Sequence, residues 1–182
     1  MDKTMNLFWS KGYFDTSAQD IVDTIELSRS SIYNTFKDKK TLFIASLRHY
    51  IDKESKGLLE ILSASKPHPS SIRRLMELVV ESSLNKSCPK GCFLVNTVTQ
   101  LAATDIEINQ IVTANIDEVA TAFQDFIEKA QRQGSISLHK NARGLAIILF
   151  HQMTAIRVTS KVISDKFFFT QNIDTMMELF NS

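Results

Sequence analysis

The sequence predicts an all-α chain of about nine helices, an N-terminal three-helix helix-turn-helix unit followed by a larger helical region. Three observations carry this. Only five glycines and three prolines occur in 182 residues, too few for a turn-rich β fold. Apolar residues recur at three- and four-residue spacing in segment after segment. Near the N-terminus, two short helical patterns are separated by a tight turn, each preceded by a hydroxyl residue.

Residues 1–11 open the chain with Met5, Leu7, Phe8 and Trp9 on one face, and Gly12 supplies the stop. Phe8 and Trp9 read as core packing. In the next pattern Thr16 or Ser17 is positioned as N-cap, and Thr16 with Gln19 fits a capping box. Ile21, Val22 and Ile25 form its apolar stripe, Glu26-Leu27 fills the turn, and Ser28 caps the following helix. That helix buries Ile32 and Phe36 and offers Arg29, Ser30, Tyr33 and Asn34 on its other side. One helix braces and the other presents hydrogen-bonding groups to a DNA groove.

Asp38 is placed to cap a long helix running to about Ser63, with Leu42, Phe43, Leu47, Tyr50, Ile51, Leu58 and Leu62 on its inner side. Lys66-Pro67-His68-Pro69-Ser70-Ser71 breaks the chain and opens a helix from Ser71 to Lys86. A second break at 88–92 precedes a helix near 93–102. Thr104 or Asp105 starts a long helix to Gln133, closed by Gly134. Asn141 starts another, apolar nearly all round from Leu145 to Met153. The last segment runs from Phe167 to Phe180. A helix apolar on every side must be covered on more than one side. Pairing of 145–157 and 167–180 across a twofold axis, as a four-helix bundle, is therefore expected to form a homodimer.

Thr16-Ser17-x-x-Asp20-Ile21-Val22, then Ser28-x-x-x-Ile32-Tyr33-x-x-Phe36-x-x-Lys39-x-x-Leu42-Phe43, resembles the DNA-binding domain of the TetR/AcrR regulators. Phe8-Trp9-Ser10-Lys11-Gly12-Tyr13 resembles that family's first helix and its terminating glycine, and Gly91-Cys92-Phe93-Leu94-Val95-Asn96 a stretch common in one group of them. Two positions depart from the pattern: Glu26 and Ser30 stand where the family usually has glycine. The resemblance implies a helix-turn-helix domain over 1–46 and an effector-binding and dimerisation domain over 47–182. It implies a ligand-responsive transcriptional regulator, a repressor acting as a homodimer on double-stranded operator DNA. An effector would favour a state in which the fourth helices swing the two readers out of register.

Within this frame Arg29, Ser30, Tyr33 and Asn34 are candidates for bases or phosphates, arginine suiting guanine and asparagine adenine. Thr16, Ser17, Ser31, Lys37 and Lys39 are candidates for phosphates. In the family, the residues matching Tyr33 and Lys39 commonly touch the DNA backbone. The resemblance also implies an effector cavity after the fourth helix. Tyr50, Phe93, Asn96, Gln100, Asn115, Phe123, His151 and Met153 are its candidate lining, and the abundance of Phe and Met suggests an apolar or aromatic effector.

Charge argues less for DNA than the motif does. The net charge is +1, and residues 1–48 hold seven Lys or Arg against six acids. Arg29, Lys37, Lys39 and Lys40 nevertheless gather around one helix and its exit, a local basic patch. Cys88 and Cys92 offer an alternative, a thiol switch beside Lys86 and Lys90; Cys92 as a small packing residue is the simpler reading. A helical interaction module without DNA binding is a further alternative, given Glu26, Ser30 and the weak net charge. The four histidines lack metal-like spacing, and no cofactor is expected. No Gly-rich phosphate cradle, His-Glu-x-x-His or Gly-x-Ser-x-Gly is present, so an enzyme is not expected. With two cysteines, no signal peptide and no apolar run of about 18 residues, a cytoplasmic protein without membrane spans is expected.

Overall fold

The computed structural model describes residues 1–85 and 91–181, with backbone only at Tyr33. Every regular element among the described residues is helical. They are α1 (Asp2–Lys11), α2 (Ala18–Ile25), α3 (Arg29–Phe36), α4 (Lys39–Ala64), α5 (Pro69–Ser83), α6 (Phe93–Thr97), α7 (Ile106–Arg132), α8 (Ala142–Thr159) and α9 (Lys166–Met177). A π-helical stretch, Val98–Ala102, extends α6, and a 3-10 turn, Glu178–Phe180, extends α9.

Capping explains most boundaries. The Asp38 carboxylate accepts from the Thr41 N–H at 2.7 Å and opens α4. Asp105 accepts from the N–H groups of Glu107 and Ile108 and opens α7. Asn141 accepts from the Gly144 N–H at the start of α8. The α2 cap departs from the expected pairing of Thr16 with Gln19. Ser17 is the N-cap and Asp20 completes the capping box, because the Thr16 side chain is buried and its hydroxyl donates to the Gly12 carbonyl at 2.6 Å. The α5 helix also begins earlier than expected. His68 caps it and Pro69 sits in the first turn, where a missing N–H costs nothing.

The chain divides into two compact units, Met1–Glu54 with Cys92–Thr113, and Ser55–Gly91 with Ala114–Ser182. The first is built on aromatic rings. Phe43 meets Phe8, Tyr13 and Phe93 edge-on with centroids 5.1–5.4 Å apart, and Tyr50 meets Trp9 and Phe93 edge-on at 5.1 and 5.7 Å. Such pairs contribute about 0.5–1.5 kcal/mol each beyond the area they bury. Ile21 of α2 and Ile32 of α3 are buried in the same unit. The second unit has a larger core, mainly aliphatic with several phenylalanines, in which Ile72, Met76, Phe123, Ile127, Leu149, Phe169, Ile173 and Phe180 are buried.

The turn between α2 and α3 is held by an unusual residue. Glu26 has φ 61° and ψ 31°, the left-handed region, and its N–H closes α2 on the Val22 carbonyl. A side chain there costs on the order of 1 kcal/mol relative to glycine. Its ion pair with Lys3 at 3.1 Å is largely exposed and contributes little. Glu26→Gly is therefore expected to stabilise the chain by about 0.5–1 kcal/mol. Thermal unfolding checks it, and an unchanged or lowered midpoint would count against the strain.

Candidate nucleic-acid interface

The exposed side of α3 follows from two buried residues. Ile32 is fully enclosed and Phe36 half-buried, so Arg29, Ser30, Ser31 and Asn34 face outward. Ser28 organises the helix start. Its hydroxyl accepts from the Ser31 N–H at 3.2 Å and lies 3.0 and 2.9 Å from the hydroxyls of Ser30 and Ser31. The three serines thus form one hydroxyl cluster at the N-terminus of α3, where helix N–H groups favour an anion. Lys37 is exposed just beyond the helix and takes a left-handed conformation, φ 62°. The Tyr33 side chain lies outside the described residues.

Thr16, Ser17 and Lys39 are placed differently from free phosphate donors. Thr16 is enclosed, as described above. Ser17 is exposed, but its N–H and hydroxyl both donate to the Asp20 carboxylate, at 2.8 and 2.7 Å. The Lys11 ammonium sits 2.7 Å from the same carboxylate. The Lys11 cation and the Ser17 donors hold the Asp20 carboxyl far below the ordinary carboxylate range. Lys39 turns its ammonium inward to the carbonyls of Tyr13 and Thr16, at 3.0 Å each, and over the Tyr13 ring. Its neighbour Lys40 pairs with Asp105 at 2.6 Å and Glu107 at 3.6 Å. The basic patch expected at the start of α4 is in large part committed to the protein itself, while Arg29 and Lys37 remain exposed around α3.

The residues proposed to line one cavity fall in both compact units. In the first, Tyr50 and Phe93 are buried in the aromatic core, Asn96 is half-buried and Gln100 is exposed. Gln100 accepts the Tyr13 N–H at 3.1 Å, a contact invisible in sequence because 87 positions separate the two. In the second, Phe123 and Met153 lie in the hydrophobic core. Buried Asn115 donates to the Ser55 hydroxyl at 2.9 Å. His151 is exposed on α8 rather than enclosed. Cys88 lies outside the described residues. Cys92 is buried, and the Tyr50 hydroxyl donates to its sulfur at 3.3 Å. Among the described residues no cluster of His, Cys, Asp or Glu could hold a metal ion, and no helix is long and apolar enough to cross a membrane.

Known proteins share this arrangement. Residues 1–46 match the family described as bacterial regulatory proteins, tetR family, and residues 69–176 match the tetracyclin repressor-like C-terminal domain. The HTH-type transcriptional repressor ComR of Escherichia coli (strain K12) is 29% identical over 150 residues, covering 82% of this chain and 71% of that protein. The uncharacterized HTH-type regulator YezE of Bacillus subtilis (strain 168) is 21% identical over 180 residues, 98% of this chain and 93% of its own. Among solved structures, a cysteine mutant of the TetR family regulator CifR, complexed with 26-bp double-strand operator DNA, superposes with a TM-score of 0.87. Its identity is 17%, with 98% of this chain and 93% of that one covered. The first match takes in α1 to α3 and the start of α4, the second most of the helices after them. The chain belongs to the TetR family of bacterial transcriptional regulators, which are DNA-binding regulators rather than enzymes.

Proposed function

We propose that this regulator is a cytoplasmic repressor that holds operator DNA as a homodimer and lets go when a small apolar or aromatic effector binds. Residues 1–46 read DNA, and residues 47–182 bind the effector and pair the two copies. The observation that carries the DNA reading is the outward polar face of α3, backed by buried Ile32 and flanked by exposed Arg29 and Lys37. Arg29 and Asn34 meet base edges, Ser30 meets bases or phosphates, and Ser31 and Lys37 meet phosphates. Repression is supported by the name of the ComR relative.

Pairing is supported by the outer faces of α8 and α9. Ile147, Ile148, His151, Ala155 and Val158 follow one another at helical spacing and are all exposed. Phe168, Asn172 and Thr175 do the same on α9, with Leu179 in the 3-10 turn beyond it, and the Gln152 amide of α8 hydrogen-bonds Asn172 of α9. Neither stripe carries a carboxylate, a lysine or an arginine. A twofold pairing covers both and gives one regulator two α3 helices, one for each half-site.

Selection from a random duplex library with the wild-type chain tests the proposal. The enriched sequences are expected to be palindromic, with half-sites one helical turn apart. Gel shifts at roughly 50 and 200 mM salt then show the phosphate share of the affinity. Enrichment of no duplex, or of single half-sites only, would overturn it.

A further inference from the structure

From the geometry around its ammonium we infer that Lys39 is a positioning residue that clamps the loop before α2 in its DNA-binding shape, rather than a phosphate ligand. Lys39 is the first residue of α4, where the helix dipole disfavours a cation. Two carbonyl oxygens and an aromatic face compensate. Tyr13 O and Thr16 O each accept at 3.0 Å, and the Tyr13 ring centroid is 4.5 Å away. An ammonium has three donors, and two of them are directed into this loop.

The loop has further ties of its own. Gly12 N–H donates to Phe8 O at 2.8 Å, and Thr16 Oγ1 donates to Gly12 O at 2.6 Å. Tyr13 N–H donates to Gln100 Oε1, and Ser17 N–H to Asp20. Lys39 adds the carbonyls of Tyr13 and Thr16, and Thr16 immediately precedes Ser17, the N-cap of α2. Without the ammonium, α2 loses the fixed entry that sets its orientation under α3. The loss is one of position, and the phosphates keep all their partners.

This role rests on the DNA-binding reading, and counterion release separates it from direct phosphate binding. The slope of log affinity against log salt falls in magnitude by about 0.9 for each phosphate that is no longer neutralised, so by about 1.8 for a dimer. On the duplex enriched by the wild-type chain, Lys39→Met is expected to weaken binding about tenfold with the slope unchanged. Lys37→Ala, at an exposed lysine, is expected to make the slope shallower. A Lys39→Met slope shallower by the same amount would overturn the clamp. A second measurement needs no variant. In the native protein, acylation of lysine amines is expected to be slow at Lys39 relative to Lys37 before DNA is added, and unchanged by DNA. A Lys39 that reacts freely and becomes protected only by DNA would equally overturn it. If the wild-type chain enriches no duplex, the regulator reading fails first, before any substitution is made, and the clamp loses its purpose with it.

Discussion

Ile148→Glu is expected to turn the regulator into monomers and to cut operator affinity by roughly a hundredfold or more. Ile148 lies on the exposed α8 stripe, while Leu145, Ala146 and Leu149 on the same helix face the protomer's core. The substitution therefore leaves that core intact. In a twofold interface the same patch meets itself, so one substitution introduces two carboxylates into the apolar surface. Each loses water, and the stripe holds no lysine or arginine to pair with it. The penalty for burying such an ion is several kcal/mol even after relaxation, enough to dissolve a dimer of micromolar stability. A monomer then holds one half-site and forgoes the linked second one. Light scattering and gel shifts on the selected duplex measure the two consequences. Leu138→Glu serves as the control, since Leu138 is exposed between α7 and α8, off the stripe, and should change neither. A variant that stays dimeric and binds as before would remove α8 from the interface.

The parts of this molecule that are legible in sequence are those decided by neighbours a few residues apart. Asp38, Asp105 and Asn141 announce their helices because a cap is a local hydrogen bond, three residues long. The turn at Glu26 is legible for the same reason, its left-handed backbone standing where the family pattern has glycine. Where the outcome depends on which side chain is enclosed, local pattern is insufficient. Thr16 and Ser17 both offer a hydroxyl for the α2 cap, and only the burial of Thr16 leaves the cap to Ser17 and Asp20. Lys39 reads as a cation at a helix start, but its partners lie 23 and 26 positions back. On α8, apolar on nearly every side, spacing could not say which face turns outward, and His151 marks that outer face rather than an enclosed one. The π-helical stretch that carries Gln100 toward Tyr13 has no signature in its residues at all.

Asn34→Ala is expected to lose affinity for the operator alone, leaving binding to random-sequence duplex nearly unchanged. Asn34 is exposed on α3, one residue past the middle of the helix and on the side away from Ile32. Its amide has a donor and an acceptor spaced to match N7 and the N6 amino group of adenine, a match worth about 1–3 kcal/mol of discrimination. A symmetric dimer makes the match twice, so about 2–6 kcal/mol is at stake, roughly 30-fold to 10⁴-fold in affinity. Alanine cannot add a charge or remove one, so the electrostatic attraction that supplies non-specific binding is untouched. Asn34→Asp sharpens the point. Its carboxylate cannot donate to N7 but can accept from the amino group of cytosine, so selection with this variant is expected to replace adenine with cytosine at one position of each half-site. The assignment is fixed by crossing protein and DNA changes. If Asn34 reads that adenine, changing the base costs the wild-type protein as much as removing the amide does, and costs Asn34→Ala almost nothing further. Additive losses would place the reading of that base elsewhere on α3, because one hydrogen-bonded pair cannot be broken twice.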